Sequence, residues 1–162
     1  MYKQFSMLLL AAMTMIGGKV MAQNQATKVE GQAPQADVSG VKYYAKSDLM
    51  ASFARGGTIT SESNYKVMTA HRTEGGPAES HRNFTDVFYI VEGSTTLVTG
   101  GKMVGETDKN PDEPRGTSIE GGQTRKLSAG DAIVIPAGVP HWMKDVEGTL
   151  LYFVVKVENP SR

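Results

Sequence analysis

The sequence predicts an all-β domain, a sandwich or barrel of short strands. Three observations carry that expectation. β-Branched and aromatic runs recur along residues 65–157 with glycine- or proline-rich breaks between them. No segment of useful length shows a helical period. The 18 glycines supply the tight turns that such a fold requires.

Residues 1–22 are set apart from that domain. Lys3 gives a positive start, Phe5 to Ile16 is almost wholly apolar, and Gly17, Gly18 and Ala22 place small residues near a cleavage point. That is the pattern of a secretory signal peptide cut after Ala22. The run falls short of the roughly 20 residues a spanning helix needs, and no cysteine is present to carry a lipid. The expectation is a periplasmic or secreted protein with no stable membrane anchor after cleavage. Residues 23–40, rich in Gln, Ala, Gly and Pro, read as a flexible linker. Residues 41–162 are then a single domain of ordinary length.

Within it, Val41 to Ala45 is a candidate first strand. Ser47-Asp48 caps a short helical segment from Leu49 to Ala54, which Gly56-Gly57 ends. Tyr65 to Thr73 alternates in the β manner and breaks at Gly75-Gly76-Pro77. Val87 to Val91 and Thr95 to Thr99 are dense β-forming runs, and Gly93-Ser94 between them predicts a hairpin. Lys102 to Arg115 reads as a polar surface excursion, and Glu120-Gly121-Gly122-Gln123 signals a second hairpin. Ala132 to Ile135 and Leu150 to Val157 complete the strands.

Charge narrows the partners. Seventeen basic and 17 acidic residues balance, with no basic cluster, which argues against nucleic acid and leaves a small-molecule ligand. With no cysteine, stability must come from a packed core.

Two stretches carry the chemistry. In Gly130-Asp-Ala-Ile-Val-Ile-Pro136-Ala-Gly138-Val-Pro-His141-Trp-Met-Lys-Asp145, a strand meets a Pro/Gly turn that delivers His141 to a fixed point. Upstream, Glu79 and His81 share one face of an extended strand, and a turn through Asn83-Phe84 resets the face for Asp86. Two imidazoles and two carboxylates converging from separate strands suit a divalent cation such as Mn, Fe, Zn or Ni. Phe88 and Ile90 alternate with Asp86 to form an apolar cavity floor, and Met143 alternates with His141 towards the interior. His71, on the preceding strand, fits a pocket or a surface position. Arg72 and Arg82 read as solvated strand-end residues, with an anionic substrate as the alternative. The bland reading of the site makes Glu79 an exposed carboxylate, Asp86 a turn cap and the histidines hydrogen-bonding groups.

The Gly130–Asp145 stretch resembles the second cupin signature, G-x5-P-x-G-x2-H-x3-N, except that Asp145 stands at the asparagine. The stretch from Thr73 to Gly93 is similar to the first, G-x5-H-x-H-x3-4-E-x6-G. There Thr73 stands at the leading glycine, Glu79 at the first histidine and Asp86 at the glutamate. The resemblance implies a double-stranded β-helix, a jelly-roll barrel. It also implies a metal site in which a carboxylate replaces one of the family's three histidines. A dioxygenase- or isomerase-like action on a small oxygen-bearing molecule follows, with the metal as Lewis acid and Glu79 as ligand or as general base. The same resemblance allows a metal-free module binding a sugar or aromatic compound. Pairing of sheets into a homodimer is a family expectation.

Overall fold

Two long strands form the spine of the protein. The computed structural model describes residues 39–107 and 110–159; the expected signal peptide and most of the expected linker lie outside them. Helix α1 (Lys46–Arg55) is followed by β1 (Gly57–Ser61), β2 (Tyr65–Arg72), β3 (Ala78–Glu79) and the 16-residue β4 (Phe84–Thr99). After β5 (Lys102–Val104), β6 (Arg115–Gly116) and β7 (Ser118–Glu120) come β8 (Gln123–Ser128) and β9 (Ala132–Ile135). The 18-residue β10 (His141–Glu158) ends the series.

β10 runs antiparallel to β4 from His141↔Thr99 to Glu158↔Phe84. Its other edge takes β2 and, at His141↔Glu79, β3. The free edge of β4 pairs with β8 along Ser94–Thr99 and with β9 along Asp86–Tyr89. With β1 on β2 and β6 on β3, eight strands make one sheet, and β5 and β7 make a second. This is the all-β double-stranded β-helix that the sequence predicts.

Four local expectations about strands and turns are corrected. The Gly93-Ser94 hairpin is absent because Gly93 bends β4 without reversing it. Its φ of 80° is in the left-handed region, and a β-carbon there would sit 2.1 Å from the Thr149 carbonyl oxygen. Both halves therefore stay on β10, whose register slips between Glu147 and Leu151. The second hairpin also fails, since the strands flanking Gly121-Gly122 separate: β7 joins β5, whereas β8 joins β4. The excursion from Lys102 to Arg115 includes β5 and buries Met103 and Pro114. Val41 to Ala45 carries a single bridge, at Lys42, rather than a strand.

Helix α1 starts at Ala45 with no side-chain cap, and Asp48 lies in its first turn instead. Gly56 ends it as expected, its N–H donating to the Ser52 and Phe53 carbonyls. Phe53 anchors the helix edge-on to Phe153, with ring centroids 5.0 Å apart. Among the described residues no helix is long and apolar enough to cross a membrane.

The barrel interior follows from period-two burial. Asp86, Phe88 and Ile90 point inward from β4, and Leu150, Tyr152 and Val154 from β10. Apart from Asp86 these form the main core with Leu97, Leu127, Ile135 and Met143. A smaller cluster of Ala78, Val98, Met103 and Ile119 packs against Trp142. Asp86 thus stands as an acidic group on a strand face that is otherwise apolar.

Candidate metal centre

The Pro136–Pro140 turn sets His141. Val139 N–H closes that turn on the Pro136 carbonyl at 3.1 Å, and Val139 in turn faces the histidine with its own carbonyl. His141 Nδ1 lies 3.1 Å from that oxygen, which can only accept, so Nδ1 carries the proton. Nε2 is left with its lone pair. It is buried, and among the described residues it has no hydrogen-bond partner.

The same turn reaches across to the other histidine. Gly138, at φ 79°, donates its N–H to the His81 carbonyl at 2.8 Å. His81 follows the two-residue strand β3, and the bend at Arg82-Asn83 returns the chain into β4. The His81 ring is buried 5.3 Å from the His141 ring, between centroids. Its Nδ1 is another buried nitrogen without a hydrogen bond, 3.5 Å from Glu113 Oε1.

Carboxylates complete the cluster. Glu79 Oε1 lies 3.8 Å from His141 Nε2, and its Oε2 lies 3.3 Å from Arg115 Nη2. Donor atoms of Glu79, His81 and His141 all fall within 4.8 Å of one another. Asp86 Oδ2 faces both histidines, 3.4 Å from His81 Nε2 and 3.8 Å from His141 Nε2. Lys156, directly across the strand pair, holds both Asp86 oxygens at 3.0 and 3.1 Å.

The orphaned His141 Nε2, a His81 ring nitrogen and the half-buried Glu79 carboxylate form a donor set that fits a divalent cation, and the second orphaned nitrogen, His81 Nδ1, lies beside Glu113. Leaving His141 Nε2 buried and unbonded is unfavourable, and a cation would satisfy it. Protonation would serve less well at His81. Burial first, and then the Lys156 ammonium, hold its pKa below the ordinary imidazole range, against the opposing pull of Asp86 and Glu79. A neutral imidazole is the form that binds a metal.

The cluster opens into a cavity of about 690 Å³, within the size range of small-molecule sites. Glu79, His81, Asp86, Phe88 and His71 line it. A small recess beside it is lined by His141, Met143 and Glu79. Ile90 is wholly buried in the core and lines neither space. Met143 contributes to the core as well as to the recess. Tyr152 lines both, and burial raises its pKa, which keeps the phenol protonated.

Four residues at the site come from segments whose sequence gave no such signal. Glu113 and Arg115 return from the polar excursion, and Lys156 and Tyr152 sit in an apolar strand. Period-two counting from Leu150 places Tyr152 and Lys156 on the inner face. Only the register of β10 against β4 puts Lys156 on Asp86.

A family model for cupins matches residues 67–162. A solved Bacillus halodurans protein superposes with a TM-score of 0.54 at 14% identity, covering 79% of this chain and 89% of its own. KdgF from Halomonas gives a TM-score of 0.47 at 17% identity, over 65% of this chain and 80% of its own. A putative mannose-6-phosphate isomerase from Ralstonia eutropha gives 0.47 at 12% identity, over 64% and 83%. At these identities the likeness concerns fold alone. No curated protein matches the sequence.

Proposed function

Since the chain belongs to the cupin family, we propose that Glu79, His81 and His141 hold a divalent metal ion, and that the protein acts on a small oxygen-bearing organic molecule in the adjoining cavity. The observation that carries this reading is the approach of donor atoms of Glu79, His81 and His141 to within 4.8 Å of one another, with His141 Nε2 buried and unbonded beside Glu79. Fe, Mn, Zn and Ni suit such a donor set. A bound ion would supply Lewis-acid polarisation of substrate oxygens.

The chain's own residues supply orientation and exclusion of water. The Val139 carbonyl fixes the His141 tautomer, and Gly138 ties the same turn to His81. Phe88, edge-on to His141 at 6.0 Å and to Tyr152 at 5.5 Å, makes the cavity floor apolar. Glu79, paired with Arg115 through Oε2, would act as the base through Oε1 if the ion is held by His81, His141 and Asp86 instead. Both dioxygenase-like and isomerase-like reactions are compatible with this arrangement. The apolar leader in residues 1–22 supports export to the periplasm or beyond.

Metal analysis tests the proposal. Untagged protein, incubated with Mn, Fe, Zn and Ni and then desalted, should retain one ion per chain. His81→Ala and His141→Ala should each weaken retention by about 100-fold or more, since even outer partners of a ligand are worth 10- to 100-fold. Wild-type protein that stays empty with all four metals sinks the metal reading. It would favour a metal-free binding module.

A further inference from the structure

The cavity next to the proposed metal centre carries more positive charge than its own carboxylates answer. Arg55, Lys66, Arg72, Arg115 and Lys156 line it, against Glu79, Asp86 and Glu113. Each carboxylate is already engaged: Glu79 with Arg115, Asp86 with Lys156, and Glu113 beside His81. Arg55, Lys66 and Arg72 have no carboxylate within ion-pair distance among the described residues. The whole chain is neutral, so this concentration is local.

Two features of its placement go beyond composition. Lys66 and Lys156 are direct cross-strand partners, a like-charged pairing that destabilises a sheet in isolation. Both ammonium groups also lie against the Phe84 ring, at 5.5 and 6.0 Å from its centroid. Asp86 answers only Lys156.

Arg72 is the more directed group. Its Nε donates to Tyr152 Oη at 2.9 Å, which fixes the plane of the guanidinium. Neither terminal nitrogen has a hydrogen-bond partner among the described residues. Gly76 leaves room for it, since a β-carbon there would come within 2.5 Å of Arg72 Nη1. A half-buried guanidinium oriented through one nitrogen, with two others free, suits a carboxylate gripped by parallel hydrogen bonds.

We propose that the substrate is a small organic acid whose carboxylate is held by Arg72, with Lys66 adding to the positive field that draws it into the cavity. The proposal rests on the reading that this cavity holds the substrate. It does not require that the metal be present. Arg72 and Lys66 are specificity-determining residues in this account, selecting an anion over its neutral analogue.

Calorimetric titration tests the assignment, with metal content measured on the same samples. Probes are malonate and glucuronate as carboxylates, malonamide as the neutral analogue of malonate, and inorganic phosphate. Wild-type protein should bind a carboxylate probe at least tenfold more tightly than malonamide or phosphate. Arg72→Met should weaken that binding about tenfold or more, with Arg72→Lys recovering part of it. Lys66→Met, at an exposed position, should weaken it severalfold and steepen no unfolding transition. Failure of both carboxylates to bind, equal binding of malonamide, tighter binding of phosphate, or an Arg72→Met protein that is folded and binds as wild type would each overturn the proposal. Carboxylate binding that depends on Arg72 in a protein holding no metal would leave this inference standing while removing the metal reading.

Discussion

His81 and His141 reach the same point by different routes, and the difference separates what is local in this fold from what is tertiary. His141 stands at the head of an 18-residue strand, its tautomer fixed by a carbonyl two residues away. Everything that aims it is contained in one turn. His81 follows a two-residue strand in an irregular segment, and remote groups hold it: Gly138 from the other motif, Asp86 with its Lys156, and Glu113 from the excursion. The first histidine is specified by a motif. The second is specified by the assembled barrel.

The largest test of that contrast is Lys156→Met. Removing one partner of a buried ion pair leaves Asp86, 2% exposed, without its counter-charge. Such losses run to about 3–5 kcal/mol. Metal-free variant should lose stability on that scale in urea melts. Added zinc should restore more stability to the variant than to wild type, because the cation takes over as partner of Asp86. Imidazole resonances should shift more at His81 than at His141. Equal shifts at both rings would show that His81 depends on Lys156 and Asp86 no more than His141 does.

A smaller effect is expected from Gly138→Ala. No atom would crowd the new β-carbon, so the change isolates the left-handed backbone at φ 79°. Its cost is about 1–2 kcal/mol. That substitution disturbs the hydrogen bond from the Pro136–Pro140 turn to the His81 carbonyl, so metal affinity should fall along with stability. Unchanged metal affinity in a destabilised protein would show that the motifs are positioned independently.

The smallest effect concerns pH in the metal-free protein. The unfolded His81 takes up a proton near its ordinary value of 6.5, whereas burial and Lys156 keep the folded ring neutral to lower pH. Stability from this residue is therefore full above about pH 6.5 and declines as pH falls from there towards the folded value. His81→Gln should flatten that part of the stability profile when compared with wild type. An identical slope in the two proteins would contradict the assigned direction.

The legibility of the sequence follows the same division. Strand periodicity and glycine turns made the barrel readable, and the Gly130–Asp145 stretch located His141 because its geometry is self-contained. The Gly93-Ser94 signal misled, since a local hairpin pattern cannot show that β10 holds both flanking runs in one strand. Ile90 shares the face of Asp86 and Phe88 as alternation requires, yet lies in the core, because alternation gives a face and not a depth. Lys156, Glu113 and Arg115 were invisible for a related reason. Each enters the site through pairing with sequence far away, where no spacing rule reaches.

The most direct test of the central claim is X-ray absorption spectroscopy on zinc-loaded protein. The account predicts one ion with only nitrogen and oxygen neighbours, including two imidazoles in wild type and one in His141→Ala. A wild-type spectrum lacking imidazole scattering, or one unaltered by that substitution, would contradict it.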